Sequence, residues 1–315
     1  MEVTKESLLK KRMDYQQEAC QSLFSRVHFE DYNPHLRVNV DCYYLKLDDS
    51  GKPRVRDLAQ YIGSMLTQYV HTLSKIYDSL SDPVAAHQLS IDAMRFLVAK
   101  NKKGELGEFI LWMLLEGVAG VPKVLTKHPH KTNTNMQNFG SDGVHAGYDT
   151  NGNLIIYWGE SKLYSDVKAA INKAVNSFND HLTIKSGKVA LDQDIYLIDN
   201  YSCDDVYDEK LQKLLKAFVR PGSITRGNTI YQLAAFVGYN SKILSDIESM
   251  HFSKVQNYLE IEYCKQSKEI CDIIKGLFDG NSDIQNLRVM WFVLPFKSVD
   301  DFVKTFLSIV RGEDI

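Results

Sequence analysis

The chain has 315 residues, 44% of them apolar and 24% charged, with 37 Lys and Arg against 40 Asp and Glu. This ordinary globular usage excludes disordered, collagen-like and mucin-like chains. The net charge of −3 argues against a surface coated in basic residues for nucleic acid, though not against a local basic cleft.

At roughly 150 residues per domain the length suggests about two domains. Met1 to Asp14 is polar, with no apolar core, and does not read as a secretory signal. Arg37 to Leu47 alternates Val38, Val40, Cys42 and Tyr44 against Asn39, Asp41 and Tyr43, the pattern of a strand. A turn at 48–53 follows. From Arg56 to Leu80 the spacing is helical, and Asp82-Pro83 opens another helix, with Asp82 as cap and Pro83 at its first position. Residues 1–100 are thus read as an N-terminal α+β module and 101–315 as a second domain.

In the second region, Gly104 to Val118 reads as a helix and Pro122 to Lys127 as a short strand. Phe109 to Val121 is the most apolar stretch, but its 13 residues include Glu116. A membrane span needs about 20, so a buried helix is expected. Gln137 to Gly147 and Asn153 to Lys162 read as paired strands, and Ser165 to Leu182 as an amphipathic helix. A strand at 194–198, a helix at 205–218, a strand at 230–238 and a helix at 252–278 follow. A buried strand at 288–296 and a helix at 299–310 close the chain. Strands alternating with helices predict an α/β fold around a central mixed sheet. The five cysteines are dispersed, with no CxxC pair, which favours reduced thiols in a cytoplasmic protein over a disulfide framework or zinc site.

The chemistry concentrates at Gly159-Glu160-Ser161-Lys162, the end of the apolar run Leu154 to Trp158. Apolar residues on both faces predict a central strand, and strand alternation points Glu160 and Lys162 the same way. Buried charge is costly unless paired or used. The preceding strand carries Asp142. A two-residue turn at Asn151-Gly152 would set Asp142 opposite Ser161. A three-residue loop, Thr150-Asn151-Gly152, sets it opposite Glu160, and Gly152 suits the left-handed third position of such a loop. Two converging carboxylates, with a backbone carbonyl such as that of Ser161, would hold Mg2+, with Mn2+ as a substitute. Lys162 would orient or help deprotonate the attacking water and offset charge in a phosphoryl transition state. Glu105 and Glu108 share a helix face. Glu108 is expected to support the cation or its water, although acids also favour helix N-termini through the dipole. The acid-x-Lys pattern recurs at Asp166-x-Lys168 and Asp208-x-Lys210, where solvated helix faces are the simpler reading.

Helix with Glu, hairpin with Asp, then strand with Glu-x-Lys and a helix resembles the PD-(D/E)xK restriction-endonuclease-like nucleases, with Ser141 where the family name has proline. Cys42-Tyr43-Tyr44-Leu45-Lys46-Leu47, Gly51-Lys52-Pro53, Gly104-Glu105-Leu106-Gly107-Glu108, Gly140-Ser141-Asp142-Gly143, Gly159-Glu160-Ser161-Lys162 and Leu294-Pro295-Phe296 look like the HamA family. Its members are nuclease subunits of the Hachiman anti-phage defence system. The resemblance implies a restriction-endonuclease-like core and an effector DNase. It also implies a superfamily-2 helicase partner, HamB-like, that restrains the nuclease.

Other features point less sharply. Lys127-His128-Pro129-His130-Lys131 reads as a solvent loop, with DNA-backbone contact as its functional version. Residues 121–190 hold eight Lys against five acids, a surplus suited to phosphate. Residues 189–209 hold seven acids and no Lys or Arg, either loop and helix-start charge or a docking surface. Lys168, Asn172, Lys173 and Arg226 could meet DNA, and Tyr157, Trp158 and Tyr164 could stack on bases. The expectation is a cytoplasmic Mg2+-dependent endonuclease acting on DNA, with Asp142, Glu160, Lys162 and Glu108 at its centre and no membrane association. An RNase, or a catalytically silent DNA-binding scaffold, is the alternative.

Overall fold

The computed structural model describes residues 3–29, 37–99, 102–126, 141–182, 190–279 and 287–313. Helix α1 (Lys5–Leu23) leads into β1 (Phe24–Arg26) and β2 (Val38–Leu45). Then come α2 (Val55–Val70), α3 (Leu73–Ser79), α4 (Pro83–Ala99) and α5 (Lys102–Gly117). Strands β3 (Lys123–Leu125), β4 (Gly143–Tyr148) and β5 (Leu154–Leu163) precede α6 (Val167–Leu182), α7 (Ala190–Tyr201), α8 (Glu209–Phe218) and α9 (Ile224–Asn228). Strand β6 (Ile230–Asn240), α10 (Ile243–Asp246), α11 (Phe252–Asp279), β7 (Arg288–Phe296) and α12 (Val299–Arg311) complete the chain.

The fold is α/β. Seven strands form one mixed sheet in the order β1-β2-β7-β6-β5-β4-β3, with β2, β7, β6 and β5 parallel and antiparallel pairing at both edges. The first hundred residues share this sheet, since β2 pairs with β7. One face packs against α6, α8 and α11 through Trp158, Phe178, Phe218, Ile274 and Trp291. The other packs against α1, α2, α5 and α12 through Phe109, Leu111, Phe236, Phe292 and Phe302. Helix α5 is apolar nearly all round, and Leu106 and Phe109 to Leu115 are all buried, as that pattern requires.

Two expectations are corrected, and one helix was not foreseen. Residues 5–23 form a helix that apolar periodicity did not announce, because its buried face includes Arg12 and Gln16. Thr4 caps it in a reciprocal capping box with Ser7. The expected strand at 194–198 lies inside α7, where Asp194 and Ile198 are both buried at the i, i+4 spacing of one helix face. The helical spacing over 56–80 spans two helices, broken at His71-Thr72, where Thr72 accepts from the Lys75 N–H to start α3.

Arg12 reaches α5 to form two hydrogen bonds with Glu116, at 3.0 and 2.6 Å. The Lys123 N–H donates to the same carboxylate at 3.0 Å, and Lys123 Nζ donates to the Tyr69 carbonyl at 3.0 Å. His145 lies within the charge field of Glu116 and bonds the Val121 carbonyl at 2.8 Å. Of the cysteines, Cys20, Cys42, Cys264 and Cys271 carry free thiols, and burial pushes Cys20 and Cys42 up to about 12.

Candidate active site

The β4–β5 hairpin sets the site. Tyr148 pairs with Leu154 and Gly143 with Gly159, the register of the three-residue loop Thr150-Asn151-Gly152. Gly152 takes φ +81°, a conformation costly for side chains other than glycine. Asp149 fastens the loop by accepting from the N–H groups of Asn151 and Asn153.

The ladder changes at the strand end. The Asp142 N–H donates to the Gly159 carbonyl at 2.8 Å, although Gly159 already pairs with Gly143. Two residues thus oppose one, as in a β-bulge, which re-aims a side chain. The Asp142 carboxylate accordingly accepts from the Ser161 N–H at 2.7 Å and the Ser161 hydroxyl at 2.9 Å. It does not stand squarely across from Glu160, as register alone would have it. Its charge nevertheless acts on both Glu160 and Lys162.

Glu160 is 8% exposed. It is ion-paired with Lys162 and hydrogen-bonded by Ser177 of α6. Burial and then the Asp142 charge push its carboxyl up to about 7, against the pull of Lys162. Burial lowers Lys162, but the charges of Glu160 and Asp142 outweigh it, and the ammonium lies above its usual value.

Helix α5 approaches from the opposite face. A Cβ on Gly107 would stand 3.0 Å from Ser161 Oγ, so glycine lets the helix sit against β5 there. The neighbouring Glu108 is half-buried and accepts a hydrogen bond from the Tyr69 hydroxyl at 3.4 Å. Burial, followed by the charges of Glu108, Glu105 and Asp142, raises the Tyr69 hydroxyl well above its usual value, so it remains a donor. Tyr69 therefore lies in the field of Asp142 and of both helix glutamates. Asp142, at the sheet end, is the charge felt on both faces. Sequence reasoning missed Tyr69, which lies 39 residues from Glu108.

Asp142, Glu160 and the Ser161 carbonyl are the oxygen donors that would hold a hard divalent cation here. Burial and, second, the Asp142 charge raise Glu160, and a bound cation would favour its ionised form. Among the described residues no three His, Cys, Asp or Glu side chains form a ready-made metal cluster.

The remaining candidates separate. Asp166 and Asp208 accept from the N–H groups of Ala169 and Leu211 at the starts of α6 and α8, so both other acid-x-Lys matches are helix caps. Trp158, 1% exposed, is core. Lys168 and Lys173 are exposed on α6, while the Arg226 guanidinium lies 6.0 Å from the Phe218 ring centroid. Within the acidic run, Asp205 is buried and accepts from the N–H groups of Leu73 and Thr126. His128 and His130 lie outside the described residues. No described helix is long and apolar enough to cross a membrane. The sequence model of one family, HamA, matches residues 21–310. No curated protein matches the chain.

Proposed function

The chain belongs to the HamA family, which supports a role in Hachiman defence, and from that premise we propose that it is a Mg2+-dependent DNA endonuclease of the PD-(D/E)xK kind. The observation that carries the reading is the end of β5. There a buried Glu160, raised by burial and by Asp142, lies against a protonated Lys162. Asp142, Glu160 and the Ser161 carbonyl would hold the cation, with Mn2+ as a substitute, and Glu108 would support from the helix side. The cation supplies charge neutralisation at the phosphate and acidifies a bound water.

Lys162 stays protonated, so it acts as a donor that orients water or a phosphate oxygen and offsets developing charge. It does not act as a general base. Ser161 holds Asp142 through its N–H and hydroxyl. The Tyr69 hydroxyl steadies Glu108. The N-terminal hundred residues would dock a superfamily-2 helicase that restrains cleavage and delivers DNA. With a net charge of −3, the chain has little global attraction for DNA by itself.

The test is to incubate the purified chain, alone and with the helicase of the same system, with plasmid DNA and with RNA, in Mg2+ or EDTA. Mg2+-dependent nicking or linearisation of DNA supports the proposal. RNA loss alone would make the protein a ribonuclease. Intact nucleic acid in every condition, with DNA still bound, would make it a scaffold.

A further inference from the structure

Asp194 was read from sequence as part of an acidic run and a strand. In the structure it is wholly buried on α7. Its Oδ2 accepts from the Ser141 N–H at 3.1 Å and lies 2.8 Å from the Ser141 hydroxyl oxygen. His181 Nε2 of α6 stands 3.8 Å from the same oxygen. The His181 ring lies 5.3 Å from that of Trp158, two residues before Glu160 on the same side of β5. One buried carboxylate thus gathers the residue preceding Asp142 and a histidine packed on the strand that carries Glu160.

We propose that Asp194 is a positioning residue for the cation site: it fixes the Ser141 turn so that the Asp142 carboxylate is presented at Ser161 beside Glu160. The inference rests on the metal-site reading above. Its physical basis is the cost of burying a carboxylate, which an apolar residue packing α7 onto the sheet would avoid. The site gains a fixed backbone where β4 leaves the ladder. Ser141 Oγ also lies 3.1 Å from the Gly143 carbonyl, closing the turn around the bulge. Residues that hold metal ligands in place typically change metal affinity about 10- to 100-fold when altered.

The experiment uses the full chain and Mn2+ alone as probe, read by loss of the free Mn2+ electron paramagnetic resonance signal. The Mg2+ dependence of DNA cleavage and the DNA affinity in EDTA accompany it. Asp194→Asn is expected to weaken Mn2+ binding about tenfold and to raise the half-saturating Mg2+ concentration similarly. DNA affinity in EDTA and the activity at saturating Mg2+ should change much less. Ser141→Ala keeps the backbone bond to Asp194, and a roughly threefold weakening is expected; it decides the matter should Asp194→Asn fail to fold. Wild-type Mn2+ affinity in a folded Asp194→Asn, or in Ser141→Ala when only that variant folds, overturns this inference alone. A wild-type chain that binds no Mn2+ overturns both it and the function it rests on.

Discussion

Helix α5 carries carboxylates into two buried charge clusters, and they are built differently. At its C-terminal end, burial would raise Glu116, but Arg12, His145 and the Lys123 N–H outweigh it and hold the carboxyl below its ordinary range. At the N-terminal end, Glu105 and Glu108 face Tyr69 and the charge of Asp142, while across the strand Glu160 is pushed up to about 7. The first cluster is compensated by bidentate pairing and backbone donors, the arrangement that makes buried charge tolerable. In the second, burial and the Asp142 charge outweigh the pull of Lys162, so pairing does not fully offset the cost of burying Glu160. Such an imbalance lowers stability, and strongly shifted groups cluster at functional sites.

The contrast is sharpest under substitution. Arg12→Ala leaves Glu116 buried without its guanidinium, and should cost about 3–5 kcal/mol in urea unfolding. Arg12→Met with Glu116→Leu should recover most of it. A single variant as stable as the wild type would show that this pair does not hold the helices together. Glu160→Gln should do the opposite. A carboxyl ordinarily near 4.5 and raised to about 7 binds its proton more tightly when folded. Stability therefore falls as pH rises from 4.5 to 7 and stays low above. The variant should melt a few degrees higher (~2–6 °C) than wild type at pH 8 in EDTA, and equally at pH 4. Identical melting at both pH values would erase the distinction between the clusters.

Smaller effects refine the picture. Burial lowers His145 from 6.5 to about 4, so the folded state resists its protonation and stability is lost as pH falls through that window. His145→Gln should flatten the decline in melting temperature between pH 6.5 and 4 by ~2 °C, and an unchanged slope would exclude this residue as its source. Tyr69→Phe removes one hydrogen bond to Glu108, worth about 1 kcal/mol. It should slow Mg2+-dependent DNA cleavage several-fold, with urea unfolding lowered by no more than about that 1 kcal/mol. A stability loss with no change in rate would reduce Tyr69 to a packing residue.

Much of this was legible in the chain. The apolar runs of β5, β6 and β7 admit only buried strands. Gly152 fixed the hairpin register because few residues accept its φ of +81°. The Glu-x-Lys pair at a strand end was equally plain. Other features depended on partners distant in sequence. Helix α1 hid its inner face behind Arg12, whose partner is 104 residues away. Asp194 meets Ser141 across 53 residues, so its local pattern could only suggest an acidic strand. The bulge that turns Asp142 toward Ser161 leaves no mark in residue alternation, since it arises where the ladder ends.

The central claim is that Asp142, Glu160 and Lys162 form the working centre, and plasmid cleavage in Mg2+ by matched, folded wild type, Glu160→Ala and Lys162→Ala tests it most directly. The account predicts cleavage by the wild type and a loss of about a thousandfold or more in each variant, the scale expected when a transition-state donor or metal ligand is removed. Cleavage that survives both substitutions would contradict it.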